Sequence, residues 1–171
     1  MLIPFFGILN ILFLIQEGLL DIPILYLSRF FINHKQKYYS LLRGVTEEKN
    51  WLEWTLYVLE AIEETAIWTT EKIKAVQELL THTCDYVRQL LPKIYSRELI
   101  EVIFEQPYCR INNLVKKEIA KRQTASVYLK RLVEIDVLTE HANGKEKLYI
   151  HPKFLQLLTQ DDNAYEPYAI A

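Results

Sequence analysis

The most apolar stretch of the chain is Gly7–Ser28, close to the N-terminus. Its nearly continuous apolar residues predict a fully buried helix over about Ile8–Leu19. A membrane-spanning helix needs about 20 predominantly apolar residues. This run is interrupted by Pro4 and Asn10 and stopped at Gln16–Gly18. It also lacks the basic start and small-residue end of a signal peptide. We therefore expect a core helix rather than a membrane segment.

Two shorter helices are predicted next along the chain. Asp21 is a suitable N-cap with Pro23 in the following turn, so a second helix should begin there and end at Asn33–His34. A third helix should run from Lys35 to about Leu42, closed by Gly44.

A long amphipathic helix follows. Asn50 with Glu53 at the third helical position marks its start. Apolar residues then recur mostly three or four apart, as they do on one face of a helix. These positions are Leu52, Leu56, Leu59, Ile62, Ala66, Ile73, Val76, Leu80, Cys84, Val87 and Leu91. The gap at Ala66–Ile73 predicts a kink or break. Proline cannot continue a helix, so we place a domain boundary at Pro92–Tyr95.

Beyond that boundary the pattern changes to three short helices and a hairpin. Ser96 caps the first helix, which Gln106–Pro107 ends, and the second lies around Arg110–Lys117. The third has an inner stripe of Ala125, Tyr128, Leu129, Leu132 and Val133. Asn143–Gly144 between two short strands is a strong hairpin signal.

Three helices followed by a hairpin is the plan of a winged helix-turn-helix domain. We therefore expect a mainly α chain with a helical body at 1–92, a winged helix-turn-helix domain with a small β-hairpin wing at 93–158, and an acidic tail at 159–171. In that plan the third helix enters the major groove of DNA and the wing reaches the backbone.

The third helix carries the candidate nucleic-acid contacts. Arg122, Ser126 and Lys130 are spaced by four residues and so line one side of the helix. We expect phosphate contacts from the cations, base-edge contacts from the polar side chains and backbone contacts from the wing. The full set is Lys121, Arg122, Gln123, Ser126, Lys130, Lys145 and Lys147. The same residues would equally suit a protein-docking or dimerising module.

Charge and cysteine usage refine this division. Residues 93–158 contain twelve Lys/Arg and eight Asp/Glu, a formal charge of +4, whereas residues 1–92 and 159–171 each carry −3. This contrast favours different partners for the two parts. Cys84 and Cys109 have neither metal-like nor redox-like spacing, and the four histidines are scattered. We expect reduced, buried thiols, no metal site and a cytoplasmic location.

Residues from Gly7 to Leu158 resemble the C-terminal half of Fic-family proteins. The stretches that carry the resemblance are GILNILFLIQEGLLDIPILYLSRF, WLEWTLYVLEAIEETA, LPKIYSRELIEVIFEQPYCRINNLV and IAKRQTASVYLKRLVEI. The resemblance implies a helical Fic core followed by a winged-helix domain. It also implies the family activity, which is transfer of AMP from ATP, with magnesium, to hydroxyl side chains of target proteins.

The family's catalytic motif is His-Pro-Phe-x-Asp/Glu-Gly-Asn-Gly-Arg-x-x-Arg, and the resemblance places it just before Ile8. The motif supplies a general base, a metal-holding carboxylate and a phosphate cradle. This sequence begins MLIPFFG, so Gly7 stands where the last motif arginine belongs, and the first arginine is Arg29. We therefore expect no catalytic residues, no bound ATP or magnesium and no AMP transfer by this chain.

Three functions remain open on these grounds. The chain is a non-catalytic Fic fragment acting through its winged-helix module, a DNA-binding regulator, or an interaction module. In the last case, apolar surface on Ile8–Leu20 would be exposed and would favour a homodimer or pairing with a separate catalytic half. A fourth alternative, a membrane-anchored fragment, is kept only because Met1–Leu14 could insert if it is not packed, and no membrane partner is expected.

Overall fold

The computed structural model describes residues 3–143 and 146–169, and side chains are described except at residues 3–6, 143 and 146. Within these ranges the chain is mainly helical with a small antiparallel sheet, as the sequence predicts. None of the helices described is both long and apolar enough to cross a membrane. The elements are α1 (Ile3–Gln16), α2 (Leu27–Asn33), α3 (Lys35–Glu48), α4 (Trp51–Leu90), α5 (Arg97–Glu105), β1 (Tyr108–Cys109), α6 (Ile111–Lys116), α7 (Arg122–Glu134), β2 (Thr139–Asn143), β3 (Glu146–Ile150) and α8 (Pro152–Thr159).

The chain divides into two compact units, Met1–Glu71 and Lys72–Ala171. The division falls inside α4, earlier in the chain than the boundary expected at Pro92–Tyr95. The reason is that the C-terminal half of α4 contributes Leu79 and Val87, both fully buried, to the core of the second unit.

The core of the first unit is aromatic. Phe30 and Phe31 of α2 pack against Tyr38 of α3 and Tyr57 of α4, with ring centroids 5.4 to 6.0 Å apart. Trp54 closes the cluster at 5.4 Å from Tyr38. Contacts at these distances add to the stabilisation that area burial alone supplies.

The prediction that the N-terminal helix is fully buried is wrong. In α1, Ile11 and Leu14 are partly buried against the aromatic core. The side chains of Ile8, Leu9, Leu12 and Phe13 are 55, 64, 56 and 58 % exposed. The helix is apolar on all sides, but the described elements cover only one side of it. This is the exposed apolar surface that the interaction-module hypothesis expects.

Two predicted helix boundaries in this unit are also wrong. Asp21 and Pro23 do not start α2, which begins at Leu27 after irregular and extended backbone. Gly44 does not end α3, which continues to Glu48 and is closed by Lys49 in the left-handed conformation at φ 57°. A glycine costs a helix interior only about 1 kcal/mol, which tertiary packing overrides. The end of α2 at Asn33 is as predicted.

The long helix α4 begins and ends where the sequence predicts. The Asn50 side-chain oxygen accepts a hydrogen bond from the Glu53 amide at 3.4 Å, and the helix stops at Leu90, before Pro92. The break expected at Ala66–Ile73 is absent from this fully described segment. Thr70 instead donates its hydroxyl to the Ala66 carbonyl at 2.8 Å, so its polar group is satisfied within the helix.

The second unit contains the predicted three helices and hairpin. Ser96 caps α5 by accepting from the Leu99 amide at 3.1 Å. Leu99, Leu114 and Leu129, one from each helix, are fully buried in a common core. Each of the three helices predicted in residues 93–158 therefore buries apolar residues in this common core.

The sequence did not reveal the third strand. β1 pairs antiparallel with β3, in register Tyr108 with Ile150 and Cys109 with Tyr149, giving the strand order β1-β3-β2. A strand of two residues carries no readable alternation, so only its partner identifies it. Both cysteines are buried free thiols, and burial raises the pKa of Cys109 to about 12.

The acidic segment that follows α8 packs on the second unit. After α8, the Tyr168 ring stacks on His82 and Tyr86, with centroids 5.6 and 4.7 Å away. Its amide donates to His82 Nε2 at 2.8 Å. Only 6 % of Tyr168 is exposed. The tail thus contributes apolar area to the core.

A buried lysine holds the start of this segment. Lys72 Nζ donates to the carbonyl oxygens of Leu157, Gln160 and Asp162 at 2.8, 2.9 and 2.7 Å. Only 8 % of the residue is exposed. The ammonium group therefore satisfies carbonyls at and beyond the C-terminus of α8, where helix carbonyls lack partners and cations are favoured.

Lys72→Met should lower the free energy of unfolding by about 2 kcal/mol, because it removes charge-assisted hydrogen bonds while preserving most of the buried apolar stem. Denaturant titration followed by circular dichroism measures the change. Lys74→Met is the matched control, since Lys74 is an exposed neighbour on the same helix. Equal losses of unfolding free energy in the two variants would contradict a stabilising role for the Lys72 hydrogen bonds.

Candidate nucleic-acid interface

The outer face of α7 is set by the burial of its inner face. Ala125, Leu129 and Leu132 are fully buried, which leaves the opposite side of the helix toward solvent. Arg122, at the first helical position, and Lys130 are exposed. The four-residue spacing read from the sequence therefore produces a polar, cationic stripe.

A pocket of about 420 Å³ lies beside this stripe. It brings together four of the seven predicted site residues with three that the sequence did not indicate. Side chains from the β1–α6 junction, from α7 and from β3 converge on it. Its lining residues are Arg110, Ile111, Asn112, Arg122, Ser126, Lys130 and Lys147.

Arg110 and Asn112 line the pocket but were not predicted from the sequence. Arg110 follows β1 directly, and its amide donates to the Asn113 side chain at 2.9 Å, which fixes the backbone at the start of α6. The pairing of β1 with β3 carries Arg110 to the strand that bears Lys147. Arg110 could have been identified from the sequence only if the pairing of β1 with β3 had been known.

Lys147 is bound across the hairpin to Glu140. The register pairs Glu140 with Tyr149, so Lys147 lies at the diagonal position on the same face of the sheet. Its ammonium forms an ion pair with the Glu140 carboxylate. The hydrogen bond from Lys147 lowers the pKa of Glu140, and Lys130 adds to this effect. Glu140 is thus a carboxylate beside the pocket, although it does not line it.

Two further predicted residues, Lys121 and Gln123, do not line the pocket. Lys121 and Gln123 are exposed at the start of α7. Lys145 and Gly144 of the predicted turn lie outside the described residues, and Asn143 is described in backbone only. The five-residue strands β2 and β3 on either side confirm the hairpin itself.

The pocket is suited to binding an anion. Among the described residues its lining offers four cations, a hydroxyl and an amide, and no carboxylate. Arginine and lysine with such polar groups are the donors that recognise phosphate oxygens. A depression of about 450 Å³ on α4 offers no comparable selectivity, because Lys74, Glu78 and Asp85 along one helix give it charges of both signs.

The Fic resemblance implies a magnesium–ATP site, whose motif would lie just before Ile8. No group of three or more His, Cys, Asp or Glu side chains within the described ranges could hold a metal ion. A Cβ atom on Gly7 would lie 2.9 Å from Ser28 Oγ, a contact that rotation of the Ser28 side chain relieves.

Residues 79–154 match the family described as the C-terminal domain of SoFic-like protein adenylyltransferases. The match begins in the C-terminal half of α4 and ends in α8, and it contains all seven predicted site residues. The resemblance of residues 7–78 to the helical Fic core lies outside it and stays a prediction. Residues 79–154 are therefore similar to the C-terminal domain of SoFic-like protein adenylyltransferases, which are Fic-family proteins.

Proposed function

We propose that this chain supplies the C-terminal, nucleic-acid-binding part of a Fic-type protein adenylyltransferase. The observation that carries the proposal is the pocket in which Arg110, Arg122, Lys130 and Lys147 converge from separate elements. Four cations around one concave site suit a phosphate backbone. Cations that serve only to keep a surface solvated need not converge on one site.

The proposed contacts follow the winged helix-turn-helix plan. Arg122 and Lys130 contact phosphates, and Lys147 approaches the backbone from the wing. Gln123 and Ser126, on the exposed side and at the pocket, contact base edges. The formal charge of +4 on residues 93–158 favours association with a polyanion. Buried free thiols at Cys84 and Cys109 suit the reducing cytoplasm, where we place the chain.

We further propose that AMP transfer is not performed by these 171 residues. The general base, the metal-holding carboxylate and the Gly-Asn-Gly cradle are absent from the sequence before Ile8. Incubation with labelled ATP and magnesium should leave no labelled AMP on the chain or on added candidate proteins. Label above the background of a heat-denatured sample would contradict this.

The double variant Arg122→Ala plus Lys130→Ala should bind duplex DNA more weakly than the wild type. Each phosphate contact releases about 0.9 counterion, so the slope of log affinity against log salt should become shallower by about 1.8. Fluorescence anisotropy titrations at several salt concentrations measure both quantities.

The matched control for this experiment is Lys116→Ala plus Arg131→Ala. Both side chains are exposed, Lys116 on α6 and Arg131 on α7, and neither lines the pocket. The control changes the net charge equally and should retain most of the affinity and salt slope. If both double variants lose affinity alike, the attraction is diffuse and this face is not the interface.

A second candidate function, self-association, is favoured by α1. Its side chains at Ile8, Leu9, Leu12 and Phe13 are each more than half exposed and lie on adjoining turns. Contiguous apolar patches of this kind mark interaction surfaces. We propose a second copy of this chain as the occupant.

Light scattering should then show a concentration-dependent dimer. Leu9→Gln plus Phe13→Gln should weaken it by at least about tenfold, because each large apolar side chain contributes about 1.5–3 kcal/mol when buried. Leu52→Gln plus Leu56→Gln is the control, since both residues are exposed on α4. A monomeric wild type at high concentration would exclude self-association.

A further inference from the structure

The Lys147–Glu140 ion pair at the edge of the pocket opposes anion binding. Lys147 lines the pocket, and its ammonium is held by a carboxylate on the neighbouring strand. An incoming phosphate must therefore share Lys147 with Glu140. The effective positive charge that a bound anion meets is therefore lower than the four cationic lining residues alone would give.

We infer that the pocket is a subsite for one phosphate group of a nucleic-acid backbone, bound by Arg110 and Asn112 together with the α7 cations, and that Glu140 limits its affinity by holding Lys147. This inference rests on the proposed function and assigns its phosphate site to particular residues. It adds a contact that does not belong to α7 or the hairpin, and a residue that acts against binding.

Arg110 and Asn112 suit the role because their position is fixed by the fold. β1 is paired with β3, and the Arg110 amide is bound to Asn113, so the segment that carries both side chains is anchored at two points. A guanidinium group offers a planar fork of donors to phosphate oxygens, and an amide adds neutral donors. The pocket thus has one charged and one neutral recognition element at this junction.

Glu140 suits the opposing role because its carboxylate remains ionised. The hydrogen bond from Lys147 lowers its pKa, with Lys130 contributing to the same shift. Like charges close to each other disfavour binding, so a phosphate placed between these lysines is repelled by Glu140. Glu140→Gln removes the charge and retains the size of the side chain.

Three single variants separate these roles in anisotropy titrations with a short mixed-sequence DNA duplex over a range of salt concentrations. Arg110→Ala should weaken binding by about tenfold and make the salt slope shallower by about 0.9. Asn112→Ala should weaken binding by a few fold with an unchanged slope, because a neutral amide displaces no counterion. Glu140→Gln should strengthen binding by a few fold and steepen the slope.

The controls are Lys116→Ala for the arginine variant and Glu134→Gln for the glutamate variant. Lys116 is exposed on α6, and Glu134 is bound to Arg131 on the surface of α7. Both controls should stay within about twofold of the wild type. A parallel titration with added inorganic phosphate at constant ionic strength distinguishes a backbone site from a free-phosphate site, since only the latter is blocked by millimolar phosphate.

The outcomes separate this inference from the proposed function. A wild type that does not bind duplex DNA would contradict the proposed function. A wild type that binds, with Arg110→Ala and Glu140→Gln indistinguishable from their controls, would overturn only the phosphate subsite. Competition by millimolar phosphate would overturn the backbone assignment. Opposite shifts for Arg110→Ala and Glu140→Gln, with unchanged controls, support it.

Discussion

The backbone pairing of β3 is the interaction on which the candidate site depends. As the central strand, β3 holds β1 on one edge and β2 on the other. The β1 edge brings Arg110 and α6 to the pocket, and the β2 edge brings Glu140 to Lys147. A one-residue slip in register would turn alternate side chains to the other face and would dismantle the site. The buried Tyr149 lies opposite both Cys109 and Glu140 and resists such a slip.

The second requirement is that α7 be held in a fixed rotation. Leu129 and Leu132 are fully buried, and burial of each leucine side chain contributes about 1.5–3 kcal/mol to stability. Rotation of the helix would expose these residues, so the cationic stripe is directed outward by the same packing that forms the core. Lys72 and the segment after α8 stabilise other parts of the same unit. The outward direction of the α7 cations thus depends on the same packing that stabilises the unit.

The sequence was sufficient for features that depend on local pattern. Ser96, Pro92 and the apolar stripe of α7 predict the helices of the second unit, because capping, proline and periodicity act within a few residues. Three of the predicted site residues, Arg122, Ser126 and Lys130, line the pocket from one side of α7 for the same reason. Features that depend on distant partners were missed. Strand β1 needs β3, Arg110 needs that pairing, and the exposure of α1 depends on which elements cover it.

We propose that this chain works through the cationic pocket of its C-terminal unit, as a phosphate-binding site. The most direct test is an amide chemical-shift titration of the wild-type protein with duplex DNA by nuclear magnetic resonance. We expect the largest shifts at Arg110–Asn112, along the outer face of Arg122–Lys130 and at Lys147. Binding accompanied by shifts concentrated in α1 or α4, with the pocket unchanged, would contradict the account.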